Sequence, residues 1–299
     1  MIKNAIIYRV SGLPGTIDAL DKALAAQAYA PCTPGQALSW GFAPPRGHAH
    51  GALAEAIGGQ WIARFVVETR GVPGEAVAKR AGEKAAKIER EAGRKPGKRE
   101  MRDLREEAHA ELLPHAFSRI KTVWAWIDRA RGLLVIDAAS QTTADAALAC
   151  MVNAMPGGFS AASLQTNRYP LGCMTAWLTE DGGPPGDLYL GRACELRADG
   201  GDPARTRISG QDLTTPEVRK QVKRGLLPVS VELSNGRVRC TLTHVLQLRR
   251  IEILADARGD DGIESEEDVF DSTVALVTGE LRALIDSLVD ALGGEVGAA

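Results

Sequence analysis

From Ala76 to Glu107 the chain offers a hydrophobic core almost nothing. The stretch is polar, rich in good helix formers, and broken only at Gly93 and at Pro96-Gly97. That pattern predicts two helices joined by the turn GRKPG at 93–97, an αα-hairpin with so little apolar surface that it projects from the body as an arm. Its charge constrains the chain further. Between Lys79 and Arg105, eleven Lys or Arg stand against five Asp or Glu, about six net positive charges in a chain whose formal charge is -2. The remainder is therefore acidic, above all Glu252 to Asp271, where nine acids accompany one arginine.

On either side of the arm the chain switches between β and α patterns. AIIYRV (5–10) reads as a strand, and Ile17, Leu20 and Leu24 as the apolar side of a helix behind Thr16 as N-cap. After the Gly- and Pro-rich GFAPPRGHAHG (41–51), QWIARFVVET (60–69) reads as a second strand, closed by the turn GVPG (71–74). Past LLPHAFSR (112–119), TVWAWID and LLVIDAA form a hairpin around RARG (129–132), and Thr143 to Met155 a helix with Ala147, Leu148, Met151 and Val152 on its apolar side. Thr214 and Glu217 have capping-box spacing ahead of a short helix carrying Arg219, Lys220, Lys223 and Arg224. LPVSVEL and RVRCTLTHV flank Ser234-Asn235-Gly236, a strong hairpin signal. A last helix, Ser272 to Leu292, aligns Val274, Val277, Leu281, Leu284, Leu288 and Leu292 in one stripe.

A chain of 299 residues with 44% hydrophobic and 25% charged residues can bury a core, and its length predicts a composite architecture. A boundary is expected near 160–170. No run approaches the roughly 20 apolar residues of a membrane span, and MIKNAIIYRV reads as a strand rather than a signal peptide, so a cytoplasmic protein is expected. The five cysteines, Cys32, Cys150, Cys173, Cys194 and Cys240, are spaced for neither a disulfide framework nor zinc and are expected to be buried.

Signs of catalysis are wanting. AGRKPGKR has Ala92 and Arg99 where a phosphate-binding loop needs Gly and Ser or Thr, and no strand leads into it. His48 and His50 have no carboxylate cluster at ligand spacing, so no metal site is expected. GGFSA lacks the second glycine of a serine-hydrolase elbow. The basic arm admits two readings. Its charges can form a solvated face with ion pairs such as Glu83 to Lys87, or its excess cations can meet a polyanion, either acidic protein or nucleic-acid phosphate. Phe117, just past the arm, is either buried at its root or in contact with another subunit.

Seven stretches in order resemble the RdgC family of bacterial recombination-associated proteins: YRV near the start, LSWGFAPPRG (38–47), KAAKIEREAGRK (84–95), LLPHAFSR, WIDRARGLLVIDAAS (126–140), QDLTTPE (211–217) and TGELRALIDSLVDALGGE (278–295). The resemblance implies an α+β, multi-domain, horseshoe-shaped subunit with a projecting helical arm, closed by a second copy into a ring-shaped homodimer around double-stranded DNA. On that template residues 1–75 and 121–165 form a central domain, 76–120 the basic tip, and 166–299 a second α+β region with the acidic segment and last helix. It implies no enzymatic activity, no cofactor or metal, DNA binding with little sequence preference in the nucleoid, and restraint of RecA-mediated strand exchange through shared DNA. Lys84, Lys87, Arg94 and Lys95 match basic positions of the tip, and Lys98, Arg99, Arg119 and Lys121 complete the expected DNA-binding set. Phe117 matches an aromatic at a gate between subunits and Gln211 a polar residue there, preceded by Gly210 where a basic side chain is expected. Residues 160–205 match weakly. Two other classes remain open: a protein-interaction module whose arm docks on acidic surfaces such as 252–271 of another copy, and a metal-dependent hydrolase or nuclease.

Overall fold

The computed structural model describes residues 1–48, 50–155, 157–200, 204–254 and 265–297. Its helices are α1 (Ile17–Leu24), α2 (Gly74–Ala92), α3 (Lys98–Leu112), α4 (Gln141–Ala154), α5 (Pro170–Thr179), α6 (Pro216–Lys223) and α7 (Glu266–Ala291). Strands β1 (Ile6–Ser11), β2 (Leu38–Ala43), β3 (Ala54–Ile57), β4 (Gln60–Arg70), β5 (Ser118–Asp128), β6 (Leu133–Ile136) and β7 (Ser160–Ser163) form one sheet, ordered β2-β4-β5-β6-β1-β7. β3 and β2 share one edge of the long β4, β3 pairing Gln60 to Ala63 and β2 pairing Arg64 to Thr69. A second sheet, β12-β11-β10-β8-β9, is built from β8 (Tyr189–Ala198), β9 (Arg205–Ser209), β10 (Leu226–Ser234), β11 (Val238–Thr243) and β12 (Leu248–Ile253). The expected α+β class is what the chain adopts.

Successive strand residues point to opposite faces, and β4 and β5 bury both. Trp61, Ala63 and Phe65, opposite Ile127, Ala125 and Val123, pack with Leu20 and Leu24 of α1 and Ala147 and Met151 of α4. Ile62 and Trp126 face the other way, into a core shared with α7 and with Leu196, Val231 and Leu242 of the second sheet. The stripe expected on the last helix is buried there at every position from Val274 to Leu292. The N-terminus ties the sheets together, because Ala5 exchanges backbone hydrogen bonds of 2.8 and 3.0 Å with Leu248 before the chain enters β1.

Thr16 caps α1, accepting from the Ala19 amide, and Asn235-Gly236 turns the β10–β11 hairpin. Three expectations need correcting. α7 begins at Glu266 rather than Ser272, since Ser265 caps it and Glu266, Glu267 and Asp268 complement the positive end of its dipole. Part of the acidic segment is thus helix, and residues 255–264 of it lie outside the described residues. Thr215, not Thr214, stands at the N-cap of α6, because the Thr214 hydroxyl is taken by Asp212 at 2.8 Å. LSWGFA forms β2 ahead of the glycine-rich loop; Gly41 lies within it because a Cβ there would come 2.5 Å from the backbone of Tyr29, whose amide donates to the Phe42 carbonyl oxygen at 2.8 Å. All five cysteines are free and buried.

Where β4 runs toward the arm, Glu68 is buried and fully engaged. It accepts from Ser118, from Tyr29 at 2.6 Å and from the Cys32 amide at 2.8 Å. The Ser118 and Tyr29 hydroxyls, with that amide, hold its carboxyl at about 2, while burial and the same carboxylate push the Tyr29 phenol up to about 12. A carboxyl depressed in the folded state stabilises above its unfolded value of roughly 4.3 and loses that contribution as pH falls toward its folded value. Glu68→Gln should therefore melt below the parent at neutral pH, and the gap should close as the pH falls from about 5 to about 2. A gap independent of pH in thermal melts would mean that the charge of Glu68 contributes nothing.

Candidate nucleic-acid interface

The arm is α2 and α3 packed on each other through Ala81, Leu104 and Ala108, a small cluster separate from both main cores. At about 1.5 Å per residue the 19 residues of α2 reach roughly 28 Å. Gly93, at φ 70°, ends α2 in the left-handed conformation that glycine adopts without steric cost. The expected two-helix hairpin is therefore present, and its cations divide into two groups.

The first group holds the arm together. Lys84, its side chain only 20% exposed, bridges to Glu107 at 3.0 Å and Glu111 at 2.5 Å on the facing helix. Arg80 joins Glu83 and Glu111, and Arg94 lies 2.7 Å from Glu100. The anticipated pair of Glu83 with Lys87 does not form, because Glu83 turns to Arg80 and Lys87 to Glu91.

The second group is open to solvent. Lys87 and Lys95 have acids only at 3.9 Å in exposed pairs, which contribute little. Lys98 and Arg99 at the tip, like Lys79, Arg90 and Arg105 along the two helices, are exposed and have no acidic partner among the described residues. Lys98 and Arg99 occupy the first two positions of α3, at the positive end of its dipole, where cations are disfavoured and anions attracted.

At the arm's root β5 runs beyond the core, and Ser118 to Thr122 are all exposed. Arg119 and Lys121 lie opposite Thr69 and Val67, on the face where Leu38 and Trp40 of β2 are also paired with those residues. Trp40 is 47% exposed, Ile120 62% and Phe117 96%. Burial of Phe117 at the root is thus overturned: the strand that follows it leaves the core before the ring could enter. Trp40 and Leu38 were missed by sequence reasoning because β2 was; the alternation of Leu38, Trp40 and Phe42 was the available signal.

Gln211 is exposed in the turn between β9 and α6, beside the second sheet, whereas Phe117 adjoins the first. Gly210 before it has φ 76°, which suits glycine, and Arg192 donates to its carbonyl oxygen at 2.6 Å. A guanidinium therefore stands against the position where the resemblance led us to expect a basic residue. On α6, Arg219 pairs with Asp181 at 2.8 Å, while Lys220, Lys223 and Arg224 are exposed.

A family model described as "Putative exonuclease, RdgC" matches residues 1–295. The chain belongs to the RdgC family. Among its RdgC relatives, the recombination-associated protein RdgC of Paraburkholderia phymatum is 32% identical over 285 residues, 94% of this chain and 92% of the relative. That of Burkholderia cenocepacia is 33% identical over 94% and 91% of the two chains, and that of Laribacter hongkongensis 35% over 88% of each. Among the described residues of this RdgC chain, no three His, Cys, Asp or Glu gather as a metal site, and no helix is long and apolar enough to cross a membrane.

Proposed function

We propose that this chain acts in recombination as a non-enzymatic, sequence-independent binder of double-stranded DNA, encircling the duplex as a homodimeric ring and limiting RecA-mediated strand exchange by occupying the DNA. The observation that carries this reading is Lys98 and Arg99 at the positive end of α3, on a projecting arm and without an acidic partner among the described residues. A helix end that already favours anions, with two added cations, is suited to phosphate and reads no bases. The ring is supported by Phe117, an aromatic side chain 96% exposed at the arm's root and of the kind that anchors a protein contact. Because phosphate contacts carry no sequence information, RecA need not be touched for its access to be reduced.

The test is salt. Binding to two duplexes of unrelated sequence, followed by fluorescence anisotropy, should weaken with log salt at a slope of about -0.9 per phosphate contacted, hence about -3 or steeper if Lys87, Lys95, Lys98 and Arg99 all engage. Inhibition of strand exchange should track occupancy of the duplex. A slope near zero, or strong preference for one sequence, overturns the phosphate reading in favour of a protein-docking arm. Loss of end label from the duplex with magnesium or manganese present overturns the non-enzymatic part.

A further inference from the structure

The outer face of the second sheet carries a second concentration of cations that no sequence segment announces. A groove of about 540 Å³ is lined there by Arg197 of β8, Arg205 and Arg207 of β9, and Arg249 and Arg250 of β12. Among the described residues that line it, one carboxylate, Glu195, accompanies these five guanidiniums. It lies 2.7 Å from Arg197, 2.9 Å from Arg205 and 3.1 Å from Arg207. Burial pushes the Glu195 carboxyl up, but hydrogen bonds from Arg205, Arg197 and Arg207 outweigh it and hold the group at about 2, ionised throughout the neutral range. A single charge cannot neutralise three, so Glu195 splays the guanidiniums in fixed positions and leaves most of their charge uncompensated. Such preorganisation lowers the ordering cost of meeting an anion.

The remaining two arginines are placed by a fault in the strand. From Arg239 to Thr241 β11 advances two residues, while β12 goes from Glu252 to Arg249, three residues, so β12 holds one residue too many. The result is a bulge. Leu248 and Ile251 are both buried, and Arg249 and Arg250 between them are both exposed, whereas regular alternation would send Arg250 inward with Leu248. The backbone achieves this with φ 52° at Arg250, a left-handed conformation that glycine adopts freely and arginine does not. Arg249 donates to Gln247 at 3.0 Å, and Arg250 has no acidic partner among the described residues. Strain retained at a side chain with no acidic partner among the described residues suits a role outside the chain.

The geometry points to a second phosphate-binding surface, distinct from the arm, in which Arg249, Arg250 and the arginines splayed by Glu195 hold the phosphodiester backbone of nucleic acid. Among the described residues the groove has no Phe, Tyr or Trp and a single imidazole, His244, so its five guanidiniums favour the backbone over stacked bases. Serine and threonine hydroxyls of β9, β10 and β11 along the same wall add neutral donors to phosphate oxygens. The inference rests on the DNA-binding reading only for the identity of the polyanion.

The test is the full-length Arg249→Gln/Arg250→Gly variant, beside Arg250→Gly alone. Glycine at 250 relieves the left-handed strain, so the melting temperature of Arg250→Gly should equal or exceed that of the parent. Duplex affinity of the double variant should nonetheless fall about tenfold at physiological salt, and its salt slope should become shallower by nearly two. Inorganic tripolyphosphate, a short duplex and a single strand of equal length, titrated separately, tell a general phosphate site from one shaped to the duplex; the double variant should lose tripolyphosphate binding while an arm variant keeps it. Unchanged duplex affinity and slope in the double variant, with the parent still binding, overturns the groove and spares the arm. A parent that binds no duplex but binds tripolyphosphate through Arg249 and Arg250 keeps the groove and sinks the DNA reading, and a parent that binds none of the three overturns both. A fall in melting temperature of Arg250→Gly would make that residue structural and overturn its role.

Discussion

Reversing Lys87, Lys95, Lys98 and Arg99 together to glutamate should reduce affinity for duplex DNA by at least about a hundredfold, because non-specific binding consists almost entirely of phosphate neutralisation. The fold should survive, since exposed substitutions typically shift stability by within about 0.5 kcal/mol each. The choice of residues matters. Lys84 and Arg94 match the family's basic tip equally well, but Lys84 is clamped between Glu107 and Glu111, and reversing it would set a third carboxylate against those two across the helix pair. Loss of binding in such a variant would then report a broken arm rather than a lost phosphate contact. Circular dichroism and anisotropy on the same samples separate the cases, and a folded variant with parental affinity would move DNA binding off the arm.

Phe117→Ala should leave the melting temperature unchanged and loosen the contact between two copies. At 96% exposure the ring fills no cavity within the chain, so the roughly 3 to 5 kcal/mol of a buried Phe-to-Ala change does not apply. An aromatic anchor at an interface, by contrast, costs about 2 kcal/mol or more on truncation, about thirtyfold in the strength of that contact. The cations remain, so binding to linear duplex should persist while retention on closed circular DNA at moderate salt is lost. Light scattering and retention on circles before and after linearisation decide it. Parental retention on circles would leave the exposed Phe117 ring without a role in closure.

Features set within a few residues were legible without coordinates. The polar stretch broken at Gly93 and Pro96-Gly97 could become only a helix pair, because helix formers lie on both sides of residues that end helices. Asn235-Gly236 between alternating strands and the i, i+3, i+4 stripe of α7 are likewise local codes. The family resemblance, carried by short stretches in order, added what no local code contains. β2 escaped because its glycine and the Pro-rich loop after it resemble a turn, and Gly41 is explained only by the close approach of the Tyr29 backbone.

By itself, then, the sequence determined the arm, its net charge, the principal hairpin and the last helix, since each depends on neighbours in the chain. The tertiary structure decided which cations are free. Lys84 is neutralised by residues more than twenty positions away, and Lys98 and Arg99 are not, a distinction absent from any count of charges. It decided that Phe117 faces solvent, because that depends on where β5 leaves the core. It alone gathered Arg197, Arg205, Arg207, Arg249 and Arg250 on one sheet face, since strand order and one extra residue in β12 govern which side chains share a surface. Electrostatic partnership acts through space, and the distances that set it exist only once the register of the strands is fixed.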